Sequence, residues 1–151
     1  MPTLGVVPFI DESSGLEVIA LAECVALLES TEIGRIAVST AAGPRIYPIN
    51  YHWDGEAIVF RVAPDSTVAS SEGTSCAFEV DGSDLRRRRG WSVIALGVPT
   101  VVDPDENPKT VERLERLALY PWVPGAKDLW LRLIPAPLTG RRTVHPNGDG
   151  A

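Results

Sequence analysis

The 151-residue sequence lacks most of the short patterns that announce a chemistry. No G-x-G-x-x-G follows a strand-like run, which excludes a Rossmann dinucleotide turn, and no G-x-x-x-x-G-K-[ST] is present to cradle a nucleoside triphosphate. H-E-x-x-H, C-x-x-C and G-x-S-x-G are all missing, so a zinc protease, a redox dithiol and a hydrolase nucleophile elbow are excluded as well. Cysteine is scarce: Cys24 and Cys76 have no metal-type spacing and read as two buried thiols in a reducing compartment. The two histidines, His52 and His145, stand alone and read as exposed or internally satisfied side chains rather than bases or ligands. No catalytic acid or base and no metal site is therefore named. Positive charge is short, with 14 Lys and Arg against 20 Asp and Glu. A domain of net charge −6 is not expected to hold a nucleic-acid backbone. No uncharged run reaches the roughly 18–20 residues of a membrane helix, and the first ten residues lack the basic start of a signal peptide. The expectation is a cytoplasmic protein with no membrane and no nucleic-acid partner.

What is present points to strands. Hydrophobic residues make up 44% of the chain, with 16 Val and 9 Ile, and 13 Gly and 13 Pro supply turns without any period. The first fifteen residues read as an extended arm, residues 16–144 as one domain and residues 145–151 as a flexible tail. Leu21, Cys24, Val25 and Leu28 mark a short amphipathic helix, and Asn107–Pro108 opens a second one with Val111, Leu114, Leu117 and Ala118 on its buried stripe. Residues 45–52 and 57–62 are strand-like runs around Asp54–Gly55, a two-residue hairpin signal. That register puts Tyr47, Ile49, Tyr51, Ile58, Phe60 and Val62 on a core face, and Pro48, Asn50, Val59 and Arg61 on a non-core face. Further strands are expected at 75–80, 91–102, 129–134 and 138–144, with a polar loop at 81–89. Closely spaced strands with few helices make the fold mainly β, a small antiparallel barrel of about six strands with a few short covering helices.

Two places could hold an anion. Arg61 is followed by Pro64–Asp65–Ser66–Thr67, where a short helix is expected to start, so a guanidinium, two hydroxyls and helix N–H groups could meet a phosphate. Against this stands the plain alternative of a surface arginine and a capping serine. The run Arg86–Arg87–Arg88–Arg89 is a second anion candidate, or else a solvated loop beside Glu79, Asp81 and Asp84.

The order of Ile33–Gly34–Arg35–Ile36–Ala37–Val38, Pro48–Ile49–Asn50–Tyr51, Ile58–Val59–Phe60–Arg61, Ala77–Phe78–Glu79–Val80–Asp81, Gly90–Trp91–Ser92–Val93, Pro121–Trp122 and Gly140–Arg141–Arg142 resembles the pyridoxamine 5'-phosphate oxidase-like, FMN-binding split-barrel family, in its small actinobacterial-type branch. The resemblance spans residues 16–143. It implies a six-stranded antiparallel split β-barrel, a homodimer, and an FMN in each of two grooves between subunits. It implies that Pro48, Ile49, Asn50 and Tyr51 lie along the flavin ring and that Arg61, Ser66 and Thr67 hold its phosphate. Trp91, Ser92 and Arg141 are implied to lie near the groove. The function so implied is a flavin-dependent oxidoreductase reducing a small-molecule substrate rather than oxidising pyridoxamine phosphate, whose second phosphate site has no counterpart here. A deazaflavin-dependent reductase is the alternative cofactor reading, and a non-catalytic relative with flavin or nothing bound is the other. In one segment the chain departs from the family's usual Arg-Thr-Ala-x-Gly-[ST]-Lys-Leu: Asp65 stands in place of Gly and Thr67 in place of Lys. A phosphate-facing cation is thus exchanged for a nearby carboxylate, which points to weak FMN binding unless the Arg86–Arg89 run supplies the charge.

Overall fold

A computed structural model describes residues 8–117 and 128–144. Eleven strands and two α-helices are formed among them. The strands are β1 (Ile10–Asp11), β2 (Leu16–Ile19), β3 (Ile33–Thr40), β4 (Gly43–Asn50), β5 (His52–Trp53), β6 (Ile58–Val62), β7 (Cys76–Asp84), β8 (Arg89–Gly97), β9 (Thr100–Val101), β10 (Leu129–Leu133) and β11 (Leu138–Arg142); the helices are α1 (Leu21–Glu29) and α2 (Pro108–Glu115). Seven strands form one sheet in the order β1-β2-β11-β8-β7-β3-β4, and four form a second in the order β5-β6-β10-β9. Every pairing between these strands is antiparallel. The two sheets enclose one core, with Ile36, Phe78, Val80 and Val93 from the larger and Ile58, Phe60, Leu131 and Leu133 from the smaller.

The class is the expected mainly-β barrel, but the strand count of six is too low. Two expected strands each change sheet partway. The run 45–52 leaves the large sheet after Asn50 and enters the small one at His52. At the crossing Tyr51 is buried, its N–H bonds to the Glu32 carbonyl at 3.1 Å, and its hydroxyl bonds to the Leu28 carbonyl at 2.6 Å and to the Thr31 hydroxyl. The run 91–102 likewise ends in the large sheet at Gly97, passes the fully buried Pro99, and resumes in the small sheet at Thr100. Alternation continues through both breaks, so apolar patterning alone does not mark them.

Three local differences matter for the site. The hairpin pairs Trp53 with Ile58, not with Glu56, because the Asp54 carboxylate accepts the N–H groups of Glu56 and Ala57 at 3.0 and 2.8 Å and holds a four-residue turn. Gly55, at φ +98°, supplies the left-handed residue this turn requires. The two-residue shift preserves the faces, since the side-chain period is two. The expected loop 81–89 shrinks to residues 85–88, because β7 runs to Asp84 and β8 starts at Arg89. The expected helix at 67–72 is only a three-residue 3-10 turn, Ala69–Ser71, closed by Gly73 at φ +75°.

Helix α1 lies against β11 and β8 with Cys24 and Leu28 inward. Gly140 makes this approach possible: a Cβ there would stand 2.7 Å from the Cys24 sulfur. Cys24 and Cys76 are free and buried, and burial pushes both thiols above the usual range. Helix α2 starts with Pro108 at its first turn, although Asn107 makes no side-chain cap bond. Its Val111 and Leu114, with Leu117 just beyond, pack against Val59, Val102 and Trp130. Ala118, Trp122 and His145 lie outside the described residues.

Candidate functional site

Arg61 is set by β6 and β10. Strand β6 alternates Ile58, Phe60 and Val62 into the main core, which turns Val59 and Arg61 the other way. That second face is not open. Val59 is 0% exposed, because α2 covers it together with Val102, Leu114 and Trp130. Arg61 pairs across the ladder with Trp130, and its guanidinium carbon lies 5.0 Å from the centre of the indole ring. The same Glu115 oxygen accepts the Trp130 Nε1–H at 2.9 Å and stands 3.9 Å from an Arg61 amine. Arg61 therefore projects at the rim of a packed cluster, one side against an indole and another towards a carboxylate at the last residue of α2.

The chain beyond β6 folds back at once. Ser66 N–H bonds to the Ala63 carbonyl at 3.0 Å, which returns the chain towards the end of the strand. The Ser66 hydroxyl accepts the Ala69 N–H at 3.1 Å, so its oxygen starts the 3-10 turn and its own proton is still available to a ligand. Thr67 and Asp65 are exposed beside it. With only one turn of helix following, no macrodipole reinforces this corner. A guanidinium and two hydroxyls are donor types that a phosphate ester accepts from, so the chemistry of these residues does not conflict with the phosphate end of a flavin nucleotide.

Pro48, Ile49 and Asn50 lie in β4, the outermost described strand of the large sheet, which among the described residues pairs only with β3. Ile49 is packed against the core, while Pro48 is exposed and Asn50 half-buried on the opposite face. The sheet crossing separates them from Arg61: β4 has no ladder with β6, so Pro48 and Asn50 do not share one sheet face with Val59 and Arg61 as the hairpin register expects. Tyr51 points inward between α1 and the Phe78 ring, whose centre is 4.9 Å away in an edge contact, and burial raises its phenol above the usual range. In this position its hydroxyl ties α1 to the barrel.

Trp91, Ser92 and Arg141 sit together across β8 and β11. Ser92 pairs with Arg141, and Trp91 with Arg142. Trp91 lies against Gly82, where a Cβ would approach the indole to 2.6 Å, so only glycine admits the ring. Around them are a cavity of about 570 Å³ lined by Leu27, Gly82, Trp91 and Arg142, and a shallower one of about 300 Å³ lined by Asp81, Ser92 and Arg141. Arg141 is engaged with Asp11 at 3.2 Å. Two hydrogen bonds from Ser13, with that bond beside them, hold the Asp11 carboxyl down at about 2. Arg142 is clamped by Glu23 and faces Glu17 at 3.4 Å. The Arg86–Arg89 run forms the tip of the β7–β8 hairpin, shaped by the Asp84 carboxylate accepting the Arg86 and Arg87 N–H groups. It belongs to the large sheet and Arg61 to the small one.

The expected site residues thus fall into three groups on different elements: Arg61, Ser66 and Thr67; Pro48, Ile49 and Asn50; and Trp91, Ser92 and Arg141. Sequence reasoning missed Glu115 and Trp130. Both are visible as types, one ending an amphipathic helix and one inside a strand, but no spacing rule joins residues 15 positions apart on two elements. Among the described residues no group of His, Cys, Asp and Glu is arranged to hold a metal ion, and no helix is long and apolar enough to cross a membrane.

Residues 21–142 match the family pattern of pyridoxamine 5'-phosphate oxidase. An uncharacterised protein of Mycobacterium tuberculosis is 37% identical over 128 residues, covering 81% of this chain and 82% of its own length. Among solved structures, an FAD-binding protein from Mycobacterium smegmatis is 32% identical with a TM-score of 0.72, over 83% of this chain and 97% of that one. An FAD-binding protein from Mesorhizobium loti, 18% identical with a TM-score of 0.69 over 85% and 99% of the two chains, shares the fold. The family match over most of the chain, with the relatives of matching length and fold, leads to one conclusion: the chain belongs to the pyridoxamine 5'-phosphate oxidase family of flavin-binding split barrels.

Proposed function

We propose that the protein is a flavin-nucleotide-dependent oxidoreductase, acting as a homodimer on a small-molecule substrate other than pyridoxamine phosphate. The observation that carries this reading is the family match over residues 21–142, which includes Arg61 and the Ser66–Thr67 corner. A bound flavin supplies hydride or electron transfer; the chain's part is to hold and orient it. In this reading Arg61, Ser66 and Thr67 hold the phosphate, and the exposed edge of β4 at Pro48 and Asn50 borders the ring. FMN is the expected nucleotide. The absence of an obvious acid or base at these positions suits a reaction whose proton comes from water.

The dimer has its own support. On the outward face of the large sheet Ile46, Ala37, Ala77 and Leu96 stand in one row across four strands, with Ile94 beside it. Ile46 is 67% exposed, Ile94 41% and Leu96 43%. A row of this kind on a central sheet is a surface suited to a second copy. The absorption spectrum and mass of whatever small molecule co-purifies, together with sedimentation at micromolar concentration, test both halves. A flavin chromophore and a dimer are expected. A monomer, or a protein that binds no flavin when FMN and FAD are supplied, overturns the corresponding half.

A further inference from the structure

We propose that Glu115 is a built-in anion that sets the charge selectivity of the Arg61 corner and disfavours a doubly charged phosphate there. The inference rests on the flavin reading, and it concerns a residue that reading does not use. Glu115 is held in place: its Oε1 accepts the Trp130 Nε1–H at 2.9 Å, and Trp130 is itself buried beneath α2. The same oxygen stands 3.9 Å from the Arg61 Nη2, and the guanidinium is kept over the Trp130 ring. A carboxylate oxygen thus already faces the cation that a phosphate oxygen would seek.

Two anions that share one guanidinium repel each other, and the repulsion grows with the charge of the second. A phosphate monoester such as that of FMN carries about −1.5 to −2 near neutral pH, its second pKa lying close to 6. Each phosphate in the diester-linked pyrophosphate of FAD carries a single charge, and riboflavin carries none. The corner should therefore discriminate against FMN more than against FAD, and not at all against riboflavin. Asp65, exposed in the turn that follows β6, is a second carboxylate acting in the same direction. Selectivity of this kind comes from a placed repulsion rather than from an added contact.

The test is titration of riboflavin, FMN and FAD into the wild-type protein, Glu115→Gln and Arg61→Ala. The Gln amide oxygen can still accept the Trp130 N–H, so the variant removes charge while keeping shape, and near-ultraviolet circular dichroism of Trp130 checks that the packing persists. The expected result is FMN bound about fivefold more tightly by Glu115→Gln, the scale of a partly exposed charge pair. FAD should tighten less and riboflavin stay unchanged. If Arg61→Ala lowers the FMN-to-riboflavin affinity ratio while Glu115→Gln leaves it at the wild-type value, the phosphate is at Arg61 but Glu115 does not select, and the proposal fails alone. If Arg61→Ala leaves the ratio unchanged, the phosphate is not held there, and the site assignment and the proposal fail together.

Discussion

On the large sheet the face turned from the core carries Ile46, Ile94 and Leu96 in the open, whereas the corresponding face of the small sheet is closed by α2, which leaves Val59 fully buried. The two faces look alike in sequence. Pro48 and Asn50 in β4, and Val59 and Arg61 in β6, alternate with core residues in the same way. Alternation says which side chains share a face; it says nothing of what lies on that face. A helix 50 residues further along decides that Val59 is core and Arg61 a rim residue, and no local pattern carries that information. The open face suits the second copy proposed above, and the rim of the closed face carries Arg61.

The largest expected effect breaks this contrast directly. Leu114 is fully buried on the underside of α2, so Leu114→Ala should lower unfolding stability by about 2–5 kcal/mol. Ile46→Ala on the open face should change it by under about 0.5 kcal/mol at dilutions where the protein is monomeric. Denaturant midpoints at two protein concentrations measure both. A cost for Ile46→Ala that appears only at the higher concentration supports the homodimer, and an equal cost at both would mean the open face is not open.

A smaller effect comes from Asp54, whose carboxylate shapes the β5–β6 turn and bonds the Arg132 guanidinium at 3.0 and 3.1 Å, tying that turn to β10. Burial pushes this carboxyl up, but the Ala57 and Glu56 N–H groups and Arg132 outweigh it and hold it below its ordinary value. A carboxyl lowered in the folded state contributes stability above its unfolded pKa of about 3.9, and that contribution is lost as pH falls through the folded value. Asp54→Asn should therefore cost about 1–2 kcal/mol at pH 6, with the difference from wild type shrinking below about pH 4. A difference that stays flat with pH would show that the turn depends on shape alone.

Much of the architecture was legible because strands, turns and the two helices obey local rules: Asp54–Gly55 marked the turn, Cys24 and Leu28 the buried side of α1, and Pro108 the start of α2. The sheet crossings at Tyr51 and Pro99 were not, because they are fixed by tertiary bonds such as Tyr51 to Leu28. Of the candidate site, Arg61 and Ser66 were legible as chemistry on one strand and its following turn. The surroundings of Arg61 were not, since Trp130 and Glu115 reach it from β10 and α2.

The smallest expected effects separate the two arginine-bearing regions. Thr67→Lys restores a cation at the exposed corner of the small sheet and should tighten FMN by about tenfold, roughly 1.4 kcal/mol. Replacing Arg86–Arg89 with alanine should leave FMN affinity within about twofold and stability within about 0.5 kcal/mol per residue. Residues 85–88 at the hairpin tip are exposed, and the Asp84–Arg87 pair, at 3.9 Å and largely exposed, is of the kind that contributes about 0–1 kcal/mol. The Asp84 carboxylate shapes the tip through the backbone N–H groups of residues 86 and 87, and alanine keeps those N–H groups. The substitution therefore removes four charges without removing the turn. FMN titrations of both variants at two salt concentrations decide the matter. Affinity raised by Thr67→Lys and indifferent to the tip fits a phosphate held on the small sheet. Affinity abolished by the tip variant would move the anion site to the β7–β8 hairpin and reverse the contrast between the two sheets.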